Sequence, residues 1–450
     1  MLLPLESVAP LNERPLHPAL RPSACPGLLR IVQALDGGIC RIKLSGGSIS
    51  AAQALAVATA AEEFAGGVIE ATNRANLQIR GITGEHSRLI ERLLAAGLGP
   101  RSAAGDDVRN LMLSPAAGID RAMVLDTRAL AAQILATLES NPGLHDLSAK
   151  FAVQLDGGES LAMLEHPHDL WLSAFERKGE TWLAFGLAGC PTDTAAGAVR
   201  LDDGHCLVVA VLELFLALAR PEQTRMRHLL AERSVDSLLV LLGERLPLQR
   251  LDTWQRTPAP SGRHLGTYPQ RQPGLVHVGA VPPLGRLTSE MLQGAALLCE
   301  QYGDASLRLT PWQSLLLPNI REQDAPALSQ QLQALGFLLS ADQALAHVLA
   351  CTGSTGCAKG LADTKRDGQR LAALRQSAGA PVQVHLSGCP RSCAAAHTAP
   401  VTLLAVSPGH YDLYFRDAGQ AGFGALQARN LTIEAAGALL DARPRSPLDA

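Results

Sequence analysis

The sequence has no excess of basic residues. Its 450 residues include 39 Lys and Arg against 42 Asp and Glu, which gives a formal net charge of −3. Binding to nucleic acid is not expected, because nothing in this balance neutralises phosphates. Charged residues make up only 18% of the chain, while Gly and Pro stay near ordinary levels. This composition is typical of a globular protein rather than a disordered one.

Targeting and membrane-spanning segments are also lacking. The start of the chain, MLLPLESVAPLNERPLHP, has no basic residues at its beginning and is interrupted by prolines and charges, unlike a secretory signal. The longest apolar run, CLVVAVLELFLALA (206–219), is too short for a bilayer and contains Glu213. We therefore predict a buried helix there, an irregular arm over residues 1–22 and a cytoplasmic protein without a membrane partner.

A nucleotide-binding loop is missing as well. The segment LSGGSIS (44–50) is glycine-rich but lacks the strand, GxGxxG and helix context of such a loop. No flavin or nicotinamide domain is indicated. Any redox chemistry would therefore need an external electron donor or reductase that delivers NADH-derived electrons.

Two segments of the chain match each other at a constant offset of 238 residues, 50–82 and 288–320. Each predicts a capped helix, a stop at glycine and two strands joined by a polar turn. A strand is expected before each helix, at 39–44 and 274–281. A long period seen twice indicates a duplicated domain. Two such halves are expected to pair about a pseudo-two-fold axis and leave a cleft.

The rest of the chain divides around these repeats. A stretch rich in Pro, Gln, Arg and Gly predicts a linker between the two halves of the chain. We predict the following boundaries: an arm at 1–22, a first half-domain at 23–95, a mixed α/β domain at 96–245, the linker at 246–273, a second half-domain at 274–332 and a second α/β domain at 333–450.

Four of the nine cysteines form two pairs, Cys351 with Cys357 and Cys389 with Cys393. Disulfides are not expected in a long chain without an export signal. Buried free thiols, one structural zinc ion and an iron–sulfur cluster are the three explanations. Free thiols suit the other five cysteines, and zinc favours ligand pairs two to four residues apart. A cluster is larger than one ion and accepts wider loops, so the spacing favours it.

This cysteine pattern after a duplicated half-domain resembles the sulfite and nitrite reductase superfamily. Three segments also resemble its signatures: ATNRANLQIRGI (71–82), DDVRNLMLSPAAG (106–118) and LSAKFAVQLDGG (147–158). The resemblance implies an α+β fold, with duplicated ferredoxin-like half-domains paired about a pseudo-two-fold axis. Two α/β domains of the nitrite/sulfite reductase type would complete it, the second carrying a 4Fe-4S cluster.

The resemblance also implies roles for individual residues. Cys351, Cys357, Cys389 and Cys393 would hold the 4Fe-4S cluster, and Arg74, Arg109 and Lys150 would hold an anionic substrate. The reductases carry a second lysine two residues after the one that matches Lys150. Here that position is Ala152, which argues for a different substrate in an inherited cleft.

The residues themselves indicate an anion-binding row. Arg74, Gln78 and Arg80 lie at even spacing, so on one strand their side chains would share a face. Guanidinium groups bind carboxylates in a bidentate way. We therefore expect these three residues to bind a polycarboxylate. In contrast, we interpret HPHDL (166–170) as a surface loop.

Within the superfamily, ACPGLLR (24–30) and HLSGCPRSCAAAH (385–397) resemble the precorrin-3B synthase branch, as does NRANLQIRGI (73–82). This implies an O₂-dependent oxidation of precorrin-3A, with hydroxylation at C20 and γ-lactone formation. The branch is also associated with a non-haem iron, whose ligands the sequence does not identify, and the catalytic residues are not identified either. One alternative is a sirohaem-dependent sulfite or nitrite reductase, the only reading in which sirohaem binds. The other is a non-catalytic iron–sulfur electron carrier or tetrapyrrole-binding protein.

Overall fold

A computed structural model describes residues 25–251, 253–259, 262–375, 382–395, 399–417, 420 and 422–442. The predicted arm over residues 1–22 lies outside this part of the chain. The first repeat is an antiparallel sheet covered by helices. Its elements are β1 (Val32–Ala34), β2 (Gly37–Ile42), β3 (Ser48–Ser50), α1 (Ala51–Ala65), β4 (Ile69–Ala71), β5 (Leu77–Ile82) and α2 (His86–Ala95).

The segment after the first repeat forms a mixed sheet with helices. Its elements are α3 (Ala103–Val108), β6 (Leu111–Leu113), α4 (Arg128–Ser140), β7 (Val153–Asp156), β8 (Leu170–Arg177), β9 (Glu180–Leu187), β10 (Gly197–Arg200), α5 (Gly204–Leu218), α6 (Met226–Leu230), α7 (Val235–Gly243) and β11 (Gln249–Arg250). The strand order is β11-β10-β9-β8-β7-β6. Strands β6, β7 and β8 are parallel. Helix α5 confirms the buried helix predicted for the longest apolar run.

The second repeat has the same plan as the first. Its elements are β12 (Gly266–Pro269), β13 (Leu275–Ala280), β14 (Arg286–Leu287), α8 (Ser289–Tyr302), β15 (Ser306–Leu309), β16 (Leu315–Arg321) and α9 (Ala325–Ala334). Both predicted helix starts are confirmed. The Ser50 hydroxyl accepts a hydrogen bond from Gln53 N at 3.2 Å, and the Thr288 hydroxyl accepts one from Met291 N at 3.2 Å.

The two repeats exchange a strand with each other. The first sheet has the order β1-β2-β5-β4-β14, and the second has the order β12-β13-β16-β15-β3. Arg286 therefore lies opposite Glu70, and Ser48 lies opposite Arg308. These two pairs are related by the offset of 238 residues. Helices α1 and α8 pack together in one apolar core that both repeats share.

Backbone torsion angles follow the same offset. Positive φ angles recur at equivalent positions: Gly46 (58°) and Leu284 (56°), Gly47 (72°) and Gly285 (72°), Ala75 (54°) and Gln313 (60°), and Gly81 (78°) and Asn319 (58°). A positive φ is uncommon outside glycine, so agreement at non-glycine positions is informative. The duplicated, pseudo-two-fold arrangement expected from the sequence is confirmed.

The C-terminal segment forms a sheet that places the cysteine loops. Its elements are β17 (Val348–Ala350), α10 (Thr364–Leu374), β18 (Val384–Ser387), β19 (Val401–Ser407), β20 (His410–Phe415), β21 (Ala425–Leu431) and α11 (Ile433–Asp441). The strand order is β17-β18-β19-β20-β21, and β17 and β18 are parallel. Both cysteine pairs begin just after the carboxyl ends of these two neighbouring strands.

None of the helices in the described part of the chain combines the length and the apolar character needed to cross a lipid bilayer.

Gly47 of the first repeat packs tightly against the backbone of the second repeat, and substitution by alanine tests this contact. A Cβ atom at this position would lie 2.3 Å from the Leu309 carbonyl oxygen, whereas a Cβ at Gly66 would meet nothing within 4 Å. Both residues have positive φ. We expect Gly66→Ala to cost about 1 kcal/mol and Gly47→Ala roughly 2 kcal/mol more, because backbone must move. Thermal unfolding midpoints would measure this, and equal shifts would contradict the tight contact.

Candidate functional site

The four cysteines of the two pairs lie close together. Desolvation raises the pKa of Cys393, and the nearby Cys351, Cys389 and Cys357 thiols raise it further. The Cys351 sulfur accepts a hydrogen bond from Gly388 N at 3.2 Å. Backbone donation to a sulfur is a feature that tunes iron–sulfur clusters. The thiol set and this donor fit a cluster.

Glycines let the two cysteine loops pack backbone against backbone. A Cβ at Gly388 would lie 3.2 Å from the Gly360 Cα and 3.3 Å from the Cys351 sulfur. Leu361 N also donates to the Gly388 carbonyl at 2.9 Å. Larger side chains at these glycines would separate the loops. Within the described residues, no three His, Cys, Asp or Glu side chains are grouped closely enough to hold a single metal ion.

Both repeats hold the second cysteine loop. The Asn73 side-chain amide donates to the Cys393 carbonyl at 3.2 Å, and that of Gln313 donates to the Ala394 carbonyl at 2.9 Å. Asn73 lies in the β4–β5 turn, next to Arg74, and Gln313 lies in the equivalent turn of the second repeat. The cysteine site therefore adjoins the cleft between the repeats.

Arg74 does not lie on the strand that was predicted for it. It belongs to the β4–β5 turn, where Ala75 has a φ of 54°, and β5 begins only at Leu77. The turn ends the even alternation, so Arg74 does not share a strand face with Gln78 and Arg80. Burial and then the like charges of Arg225 and Arg41 lower the pKa of Arg74 to about 10.

Gln78 faces Arg41, which was not among the predicted site residues. Arg41 on β2 lies opposite Gln78 in the sheet, and its Nη2 donates to Gln78 Oε1 at 3.0 Å. Burial lowers the pKa of Arg41, while the nearby Cys25 and Cys393 offset part of this change. Arg41 thus connects the anion-binding row to the cysteine site.

Arg80 has partners other than the predicted substrate. Its guanidinium makes a bidentate ion pair with Asp36, with both distances at 3.0 Å, and donates to the Gly356 carbonyl at 3.2 Å. Its side chain is only 7% exposed. These contacts occupy the guanidinium. Arg80 is therefore held within the protein and is not open to a substrate carboxylate, as the sequence had predicted it to be.

The chain segments that carry Arg109 and Lys150 are adjacent because β6 and β7 are parallel neighbours. Asn110 joins their segments, since its side-chain amide donates to the Ala149 and Phe151 carbonyls, both at 3.1 Å. Lys150 is exposed. Arg109 pairs with Asp106 at 3.1 Å, while its Nη2 is buried without a hydrogen-bond partner among the described residues.

A cavity of about 390 Å³ opens beside Arg109. Lys43, Arg101 and Glu139 also line it. Lys43 is buried, and its ammonium group donates to the Asp106 carbonyl and to the Asp107 carbonyl at 3.2 Å. Burial lowers the pKa of Lys43 to about 8, although the charge of Asp106 opposes this. The cavity wall is therefore mainly cationic at neutral pH.

The HPHDL segment is buried except for Pro167, so its interpretation as a surface loop was wrong. His168 is 2% exposed, and burial followed by the charge of Arg74 lowers its pKa to about 3. Asp169 pairs with Arg225 at 2.9 Å and also accepts a hydrogen bond from Ala152 N at 2.9 Å. A neutral imidazole and a paired carboxylate thus form one side of the Arg74 environment. His397, in the second cysteine segment, lies outside the described residues.

Arg41 and Lys43 were missed even though the sequence carries a signal for them. They stand two residues apart in ICRIKL, which was predicted as a strand, so they share a face. Arg225 carried no comparable signal, because only the tertiary fold brings α6 to Asp169.

Comparisons with known proteins agree with this architecture. The nitrite/sulfite reductase ferredoxin-like half domain matches residues 32–97 and 268–335. The nitrite and sulphite reductase 4Fe-4S domain matches residues 104–249. The match to the second domain does not include residues 351–393, so the four cysteine ligands remain a prediction.

Individual relatives point the same way. The chain is 30% identical over 395 residues to ferredoxin–nitrite reductase of Synechococcus elongatus, covering 81% of this chain and 76% of the relative. It is 28% identical over 404 residues to precorrin-3B synthase of Sinorhizobium sp, covering 87% and 82%. The structure of Mycobacterium tuberculosis NirA protein has the same fold, with a TM-score of 0.77 and 22% identity over 90% of this chain and 79% of that one.

These matches define the class as an oxidoreductase built from duplicated half-domains. The chain belongs to the nitrite and sulfite reductase family.

Because the pKa of Lys43 is lowered to about 8, we expect anion binding beside it to depend on pH. Its positive charge is present below pH 8 and is lost as the pH rises through its pKa of about 8. We expect the affinity for citrate to fall by up to roughly tenfold between pH 7 and pH 9. In Lys43→Met, affinity at pH 7 should be lower and the pH dependence absent. Isothermal titration calorimetry would measure both, and an unchanged pH profile in the variant would contradict this role.

Proposed function

We propose that the protein acts as a precorrin-3B synthase, oxidising precorrin-3A with O₂ through hydroxylation at C20 and γ-lactone closure. The observation that carries this proposal is Ala152. This residue is 3% exposed, and its backbone N–H is held by Asp169. Alanine has no ammonium group, so this position cannot supply the positive charge of the second lysine of the reductases.

The distribution of the remaining cations supports a large polycarboxylate ligand. They come from separate elements: Arg41 on β2, Lys43 just after β2, Arg74 in the β4–β5 turn, Arg109 after α3, Lys150 before β7 and Arg225 before α6. A small anion needs only a few converging donors. Acetate and propionate groups around a macrocycle can each take a guanidinium partner.

The share of each protein that the match covers offers further support. The chain and the Sinorhizobium precorrin-3B synthase cover 87% and 82% of each other. Ferredoxin–nitrite reductase of Zea mays is 29% identical, but the match covers 80% of this chain and only 68% of that enzyme.

In this proposal the residues of the cleft bind and orient the substrate. Arg74, Arg109 and Lys150 hold carboxylates, and Gln78 keeps Arg41 facing the cleft. The 4Fe-4S cluster would supply electrons one at a time when bound to the four cysteines. Arg80, already paired with Asp36, is not assigned to the substrate.

The reaction also needs O₂ and an electron donor. One oxygen atom enters the product, and the other leaves as water with two electrons and two protons from the donor. A non-haem iron is the expected O₂-activating metal of this branch. Its ligands remain unassigned here, because no three-residue ligand group occurs in the described part of the chain.

A sirohaem-dependent nitrite or sulfite reductase is the second candidate. The 30% identity to the Synechococcus enzyme favours it, and sirohaem is itself a polycarboxylate that the same cations would suit. The two candidates differ in whether the tetrapyrrole in the cleft is a substrate or a resident cofactor.

The ultraviolet–visible spectrum of anaerobically purified protein separates these candidates. We expect a broad brown shoulder that bleaches with dithionite and has no sharp Soret band, together with turnover of precorrin-3A in the presence of O₂. Intense haem bands with nitrite or sulfite reduction would establish the second candidate. A colourless protein that holds zinc would contradict both.

Arg74 separates an enzyme from a simple electron carrier. We expect Arg74→Ala to lower kcat/KM for precorrin-3A roughly 10- to 100-fold, because a charged hydrogen bond to substrate is lost, while the cluster spectrum is unchanged. Arg88→Ala is the control, since that side chain is 61% exposed on α2. Equal activity of the Arg74 variant and the control would show that Arg74 does not bind the substrate.

A further inference from the structure

A buried ionic network lies between the first repeat, the exchanged strand β14 and the cysteine domain. Glu70 on β4 is at its centre. Its carboxylate is 2.8 Å from Arg286 Nη2, 3.8 Å from Arg80 Nε and 3.8 Å from Lys365 Nζ. Arg80 in turn pairs with Asp36. All of these side chains except those of Asp36 and Arg286 are less than 13% exposed.

The network contacts the first cysteine loop on both sides of Cys351 and on one side of Cys357. Lys365 Nζ donates to the carbonyl of Ala350, the residue before Cys351, at 2.9 Å. The hydroxyl of Thr352, the residue after Cys351, donates to Glu70 at 3.2 Å. Arg80 donates to the carbonyl of Gly356, the residue before Cys357, at 3.2 Å. Three members thus fix the backbone that carries two thiols.

The network is also unbalanced in charge. Burial alone would raise the pKa of Glu70, but Lys365, Arg80 and Arg286 outweigh it and hold the pKa at about 2. Glu70 is therefore a carboxylate at neutral pH. Three basic side chains pair with only two carboxylates, so the network has an excess of one basic group beside the loop.

We propose that this Glu70 network sets the reduction potential of the cluster that Cys351 and Cys357 help to hold. A cluster gains negative charge when it is reduced, so a fixed positive charge behind its ligands favours the reduced form. The network residues act as positioning residues, because they contact the ligand loop and not the substrate. The inference rests on the proposed assignment of the cluster to the four cysteines.

The equivalent place in the second repeat lacks such a network. Arg308 stands at the position of Glu70, and Ser48 stands at the position of Arg286. Arg308 donates to the carbonyls of Pro115 and Ala117, at 2.9 and 2.8 Å, away from the cysteine loops. The network is therefore particular to the side of the pseudo-two-fold axis that faces the cysteines.

Redox titration of the full-length holoprotein tests this proposal, with the reduced cluster detected by electron paramagnetic resonance. At a fixed solution potential, the ratio of reduced to oxidised cluster should rise about tenfold in Glu70→Gln and fall about tenfold in Lys365→Met. Asp36→Asn should move the ratio in the same direction as Glu70→Gln but less, since Asp36 is 26% exposed. Lys365→Arg should keep the wild-type ratio.

Arg366→Gln is the matched control. Like Lys365→Met, it removes one positive charge from α10. The Arg366 side chain is 74% exposed, so solvent should screen the change. A loss of packing alone would move the Glu70 and Lys365 variants in the same direction. That result, or unchanged ratios in cluster-loaded Asp36→Asn and Lys365→Met, would overturn the proposal. Wild-type protein without iron and labile sulfide would instead overturn the cluster assignment itself.

Discussion

The exchange of strands between the two repeats is the constraint on which the rest of the structure depends. Each sheet is completed by a strand from the other repeat, β14 in the first and β3 in the second. The β4–β5 turn and its equivalent both bind the second cysteine loop, through Asn73 and Gln313. Without this pairing, neither the cationic cleft nor the position of Cys393 would be defined.

The first repeat and the cysteine loops are joined by direct hydrogen bonds. Arg41 donates a hydrogen bond to Gln78, and Arg80 on the same sheet donates to the carbonyl of Gly356, the residue before Cys357. The first repeat therefore carries the predicted anion-binding residues and also contacts the backbone of the first cysteine loop.

Sequence reasoning succeeded where the information was local or repeated. Helix starts at Ser50 and Thr288 follow from capping residues, and the duplication follows from a constant offset. It failed where a tertiary contact decided the outcome. The left-handed Ala75 moved Arg74 off the strand, and Asp36 took Arg80 as its partner. His168 was buried by elements distant in sequence, and no local pattern shows that a polar loop will be covered.

The unequal pairs at the two exchanged strands have an evolutionary consequence. In a symmetric homodimer, any substitution appears on both sides of the axis at once, so a buried carboxylate useful on one side would be imposed on the other. Fusion of the two copies into one chain removes that restriction. Glu70 and Arg308 now occupy corresponding places with opposite charge, which shows that each side has been free to specialise independently.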